Sequence, residues 1–263
     1  MATDILERIA ADKRIQIAEE KKKIPLEEMK EMAFAVKGRL ADFVFEETLK
    51  KDGVSFICEV KKASPSKGVI AQEFPYVEIA KEYERAGADC LSVMTEEKYF
   101  LGCDQYLQEI REVVNLPILR KDFTVDLYQI YQAKVIGANA VLLICALLDS
   151  DFMKECIKIC DELGLTALVE AHDEEEIQQA ILAGARVIGV NNRNLKDFTV
   201  DIHNSTRLRE YAPKGILFVA ESGIQTREDV KVFEEEKVNA VLVGETLMRA
   251  MNKKQKLDEL KGV

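Results

Sequence analysis

A short motif recurs along this chain and limits what it can fold into. Ala86-Gly87-Ala88-Asp89 leads into the apolar run 90–94, Ile136-Gly137-Ala138-Asn139 into 140–144, and Ala183-Gly184-Ala185-Arg186 into 187–190. Lys237-Val238-Asn239 leads into 240–243 in the same way. The first three glycines stand 50 and 47 residues apart, and the fourth site follows at a similar interval. A glycine at such a point ends a helix in the left-handed conformation and hands the chain to the next strand.

Four more apolar runs, 54–60, 117–119, 165–169 and 216–220, lie between these. Segments with helical periodicity follow the strands, as in 77–86, 127–136 and 174–183. The runs are continuously apolar rather than alternating, which suits parallel strands covered by helices. Eight strand-helix units in 263 residues predict one α/β domain, a (β/α)8 TIM barrel, a fold that typically takes about 250 residues. An open doubly wound sheet is the rival, weakened because no GxGxxG follows the first strand. Residues 1–50 precede the barrel as an N-terminal helical extension, a lid or a stabilising cap. Ile5, Ile9, Ile15 and Leu26 are read as its packing residues, and Pro25 as its break.

The net charge of −10 argues against nucleic acid as a partner, because phosphate backbones need a basic footprint. No apolar stretch approaches the roughly 20 residues of a membrane span, and the N-terminus carries no secretory pattern. Six cysteines without a CxxC pair, three of them inside apolar runs, read as reduced core thiols. A cytoplasmic setting is therefore expected. Cys156 and Cys160 have a helical i, i+4 spacing, but with two histidines in the chain no metal site is expected.

In a parallel barrel the active site forms at the C-terminal strand ends. Here those ends are polar: Glu59-Val60-Lys61-Lys62, Arg120-Lys121-Asp122, Glu170-Ala171-His172, Asn191-Asn192-Arg193, Glu221-Ser222-Gly223 and Gly244-Glu245. Strand side chains alternate, so Glu59 and Lys61 point the same way, roughly 7 Å apart. If that way is inward, Phe56, Cys58 and Val60 face the helices. A lone buried charge costs several kcal/mol, so Glu59, Lys61, Lys121 and Glu170 must compensate one another. A purely structural salt-bridge network is the alternative, but charges at so many strand ends favour catalysis. Gly223 and Gly244 lie where barrels commonly bind phosphate through backbone N–H groups; tight turns would also use them. Ser64-Pro65-Ser66-Lys67-Gly68 lacks P-loop spacing and reads as a long, mobile active-site loop.

Six segments together resemble the indole-3-glycerol phosphate synthase family: Glu59-Val-Lys-Lys-Ala-Ser-Pro-Ser-Lys-Gly68, Leu119-Arg-Lys-Asp-Phe123, Leu168-Val-Glu-Ala-His172, Gly189-Val-Asn-Asn-Arg-Asn-Leu195, Ala220-Glu-Ser-Gly-Ile224 and Val243-Gly-Glu-Thr-Leu-Met248. The first is highly specific, and the set runs in family order along nearly the whole chain. The resemblance implies a small sugar-phosphate substrate, 1-(2-carboxyphenylamino)-1-deoxyribulose 5-phosphate, and ring closure with loss of CO₂ and water. It implies no cofactor, and a monomer is expected.

By motif match, Lys121 is the general acid, Lys61 holds the substrate carboxylate and delivers a proton in dehydration, and Glu59 and Glu170 are the carboxylates of the later steps. Asn191 and Glu221 orient these groups and the sugar hydroxyls, with Ser222 in the catalytic set. Arg193 supports the carboxylate side, and Ser64 belongs to the binding loop. Phosphate falls to Ser222, Gly223, Gly244 and Glu245, mainly through backbone N–H groups. Phe100, Phe123, Leu142 and Leu195 form the apolar slot for the aromatic ring. A lysine near other cations and partly desolvated has a lowered pKa, and this is the state expected of Lys121. After Phe100 the chain departs from the family with Leu101-Gly102-Cys103-Asp104. Two rivals are phosphoribosylanthranilate isomerase, which would need a cysteine and aspartate pair, and a non-catalytic barrel scaffold.

Overall fold

All eight apolar runs form strands in a computed structural model of the protein, which describes residues 5–38, 40–195 and 197–263. They are β1 (Ser55–Val60), β2 (Cys90–Met94), β3 (Ile118–Lys121), β4 (Ala140–Ile144), β5 (Thr166–Ala171), β6 (Val187–Asn191), β7 (Leu217–Glu221) and β8 (Ala240–Val243). Each pairs in parallel with the next, and β1 pairs with both β2 and β8, closing the barrel. Several strands run past the apolar residues into the charged ones. Met94 lies beside Lys121, Ile144 beside Glu170 and Asn191 beside Glu221 in register. Backbone pairing is indifferent to side-chain charge, so the ladder carries these groups on rigid strand rather than on loop.

The recurring motif has a clear physical role. Gly87, Gly137 and Gly184 take φ of +83°, +92° and +94°, and Lys237 takes the same left-handed turn without a glycine, at +55°. Two residues further on, a polar side chain staples the preceding strand. Asp89 accepts from Phe56 N (2.8 Å), Asn139 from Ile118 N (3.0 Å) and Asn239 from Phe218 N (2.9 Å). Phe56, Cys58 and Val60 pack outward with the helices, whereas Ile57, Leu119, Leu142, Leu168 and Val219 fill the barrel. Side-chain alternation along β1 is thus as anticipated, with Glu59 on the inward face.

The first residues clasp the barrel from one end to the other. Helix α1 (Ile5–Lys23) crosses the C-terminal mouth, where Leu6 and Ile9 join the inner cluster with Phe123 and Leu142. Helix α2 (Leu26–Ala35) follows Pro25, and helix α3 (Val44–Thr48) caps the opposite end, burying Phe45 and the following Leu49 completely. Helix α2 runs beside α4 (Tyr128–Val135), with the Phe34 and Tyr131 rings 6.4 Å apart. Ile15 does not pack: it is exposed, because Leu6, Ile9, Ala10, Lys13 and Ile17 form the buried face and position 15 lies opposite. The segment after β1, expected to be a mobile loop, is instead a small antiparallel hairpin, Ala63–Ser64 against Gly68–Val69.

Candidate active site

A cavity of about 700 Å³ opens at the C-terminal ends of the strands, and every site residue anticipated above lines it. At its floor Lys121 Nζ donates to two carboxylates, Glu170 Oε2 at 3.0 Å and Glu221 Oε2 at 2.8 Å. Lys61 is ion-paired with Glu59. Asn191 Nδ2 donates to Glu170 Oε1 at 3.2 Å, and Asn191 Oδ1 accepts from Arg193 N at 3.0 Å. Glu59, Lys121, Glu170 and Glu221 are all buried.

These contacts overturn the expected electrostatics of Lys121. Burial opposes its charge, but Glu170, Glu221 and Glu59 outweigh it, and its pKa is raised rather than lowered. Neighbouring cations would have depressed this lysine, but the fold surrounds it with carboxylates instead. Glu170 and Glu221 are driven apart. Burial disfavours ionised Glu170, yet Lys121 and His172 prevail and lower its pKa. Burial and the Glu170 charge push Glu221 up, to about 7, against the pull of Lys121. Two carboxyls with opposite shifts sharing one ammonium make a site able to hold both an acid and a base at neutral pH. Among the described residues Glu221 Oε1 is buried without a hydrogen-bond partner, and it lies beside the cavity.

Two glycines make room for this cluster. A Cβ at Gly244 would overlap the Glu59 carboxylate, and one at Gly189 would overlap Glu221 Oε1. Ser222 sits at φ +68°, a strained conformation for a residue with a side chain, and Gly223 follows at +85°. The Glu245 carboxylate draws Arg249 (3.0 Å), Lys67 (3.6 Å) and Arg193 (3.9 Å). Arg193, which the resemblance assigns to the carboxylate side, therefore leans toward the end of β8.

Phe100 and Phe123 stand 5.8 Å apart, tilted by 40°, and with Leu142 and Leu195 they form an apolar wall. Sequence reasoning missed the rest of that wall: Ile5, Leu6 and Ile9 of α1. The i, i+4 pair Ile5 and Ile9 was visible, but not the surface it covers. Also missed was Glu96, whose buried carboxylate accepts from the N–H groups of Lys98, Tyr99 and Phe100 and shapes the loop after β2. A third omission is the buried pair of Lys13 and Asp122 (2.9 Å), which ties α1 to the residue after Lys121.

Fold and site together define an acid–base enzyme at the mouth of a parallel (β/α)8 barrel. Among solved structures, KGPDC from Streptococcus mutans aligns with a TM-score of 0.62 at 15% identity, over 80% of this chain and 97% of its own. The tryptophan synthase a2b2 complex from Pyrococcus furiosus gives 0.59 at 15% identity, over 81% and 99%. Such distant likenesses speak to the fold alone. The pattern of the indole-3-glycerol phosphate synthase family matches residues 6–260. The indole-3-glycerol phosphate synthase of Ruminiclostridium cellulolyticum is 54% identical over 98% of this chain and 99% of its own length. That of Endomicrobium trichonymphae is 50% identical over the same shares. The chain belongs to the indole-3-glycerol phosphate synthase family, decarboxylating lyases of tryptophan biosynthesis.

Proposed function

We propose that this mouth converts 1-(2-carboxyphenylamino)-1-deoxyribulose 5-phosphate to indole-3-glycerol phosphate, CO₂ and water, and that the residues share the work as follows. The aromatic ring lies in the slot of Phe100, Phe123, Leu142 and Leu195, under Ile5 and Ile9 of α1. The ring carbon bearing the carboxylate attacks the sugar carbonyl, and the C=O electron pair moves to oxygen, which takes the proton of Lys121. Because its two carboxylate partners hold Lys121 charged, the proton leaves only for an oxygen that has itself become anionic. CO₂ then departs, and its bonding pair restores the aromatic ring. Lys61 protonates the new hydroxyl, which leaves as water; a carboxylate of the mouth takes the proton from the adjacent nitrogen-bearing carbon, and that C–H electron pair becomes the new ring double bond.

Glu170 and Glu59 are the carboxylates of these later steps. Asn191 aims Glu170, and Glu221 Oε1 accepts a sugar hydroxyl. Phosphate binds at Ser222, Gly223, Gly244 and Glu245, with Ser64 of the hairpin alongside, and Arg193 and Lys67 add charge at that end. All six cysteines are free thiols, in keeping with a cytoplasmic setting, and none lines the cavity among the described residues. That weakens the isomerase alternative.

The observation that carries this reading is the Lys121 ammonium bridging Glu170 and Glu221 beneath an apolar slot. The chain has no tryptophan, so the protein adds no indole emission of its own to that of the product. Wild-type protein given the carboxyphenylamino sugar phosphate should develop that signal. Lys121→Ala should lower kcat by about 10²-fold or more without loss of helical signal; near-normal turnover would remove Lys121 from this role.

A further inference from the structure

His172 takes no part in the steps above and does not line the cavity, yet it stands directly behind one of its carboxylates. Its Nε2 lies 3.4 Å from Glu170 Oε1, whereas Lys121 holds the other oxygen of that carboxylate. Its Nδ1 lies 3.0 Å from Glu176 Oε2, and the same oxygen accepts the His172 backbone N–H at 2.7 Å. Glu176 is fixed in the first turn of α5 (Glu174–Ala183), where its own N–H donates to the capping Asp173. Asn204 of α6 (His203–Arg209) donates to the His172 carbonyl at 3.4 Å. The imidazole is therefore hydrogen-bonded to one carboxylate on a helix start, while its Nε2, unbonded among the described residues, faces the Glu170 carboxylate at ion-pair distance.

We propose that His172 is a positioning residue: as an imidazolium between Glu176 and Glu170, it fixes the orientation of Glu170 and keeps it ionised while Lys121 gives its proton to the substrate. Charge balance supplies the reason. Glu59, Glu170 and Glu221 face Lys61 and Lys121. Once Lys121 is neutral, Glu170 would stand buried with no cation of its own, a strongly unfavourable state. His172 provides that cation from behind. Burial opposes its charge, but Glu170 and Glu176 push its pKa up to about 10. The other groups around it are Asp173 at the start of α5, the Cys145 thiol after β4, which donates to the Glu176 carbonyl, and the neutral Asn191 and Asn204.

The inference rests on the assignment of Glu170 to the later steps, and its test has one arm that needs no substrate. The chain has two histidines, His172 and His203, so ¹⁵N-histidine labelling gives two sets of ring signals, and His172→Gln identifies one of them. At pH 8 the His172 nitrogens should both show imidazolium shifts; neutral-imidazole shifts there would overturn the proposal. Kinetically, His172→Gln should lower kcat about 10-fold with KM within about 2-fold. The acid limb of its kcat–pH profile should move up by about one unit, because Glu170 loses a counterion. An unchanged kcat and an unmoved limb would also overturn it. A wild-type protein that turns over no substrate would sink the proposed reaction instead, and the NMR arm would still decide whether Glu170 has its second cation.

Discussion

At the scale of single residues, the absence of a side chain matters as much as any charged group. In the sequence, Gly244 marks a place where an anion can approach backbone N–H groups. The structure adds a second demand: the Glu59 carboxylate occupies the space a Cβ would need. Gly244→Ala should therefore displace Glu59 and Lys61 and lower kcat/KM by about 10²-fold, the usual cost of misplacing a reacting group by about an ångström. Steady-state kinetics beside a circular dichroism spectrum would separate this from misfolding, and full activity in the alanine variant would show that Glu59 has freedom to move. The types and positions of Glu59, Lys61, Lys121 and Glu170 were legible in the sequence because barrel topology fixes where strand ends gather. The sign of the Lys121 shift was not. It depends on Glu170 and Glu221 meeting one nitrogen, a distance that no spacing along the chain encodes.

At the scale of elements, α1 is held to the barrel by a charge pair from which water is nearly excluded. Lys13 and Asp122 are each about 2% exposed. Arg120, Thr95 and Lys13 all reach the same carboxylate, with Arg120 at 3.5 Å and Thr95 Oγ1 at 2.8 Å. Burial raises the Asp122 pKa, but the two cations prevail and lower it. Without Lys13 the buried Asp122 keeps only Arg120, which lies farther off and also serves Asp104 at 2.8 Å, so Lys13→Met should cost about 3 kcal/mol in urea unfolding. A loss below about 0.5 kcal/mol would reduce the pair to the worth of a surface bridge. The sequence showed a charged, helical first segment but not its route. Lys13 looks like any lysine of a solvated helix until the fold sets Asp122 opposite it. Ile15 looked like a packing residue for the same reason, since an apolar residue is informative only once the buried face is known. The repeat fared better, because a left-handed turn followed by a stapling Asp or Asn is a local device, written in adjacent residues.

At the scale of the whole molecule, the charged mouth sets how stability should vary with pH. A histidine whose folded pKa is raised contributes fully below its unfolded value of about 6.5, and that contribution is lost as pH rises toward about 10. Glu221, raised to about 7, favours the folded state less as pH rises from the ordinary glutamate range through neutrality. Asp122, held below the usual range, withdraws its contribution only in strong acid. The thermal midpoint should therefore peak at about pH 5 and fall from there to about pH 10, with His172→Gln flattening the alkaline part. Scanning calorimetry across that range would check this, and a midpoint that climbs above neutrality would contradict it.

The ring of strands closes where β1 meets β8, and across that seam Glu59 and Lys61 of the first strand end press against Gly244 of the last. Turnover is thus a gauge of circularity. A chain that has gained its helices and most of its sheet but has not yet joined its two ends possesses every reactive group and no working site, so recovered activity counts closed rings, whereas recovered ellipticity counts helices.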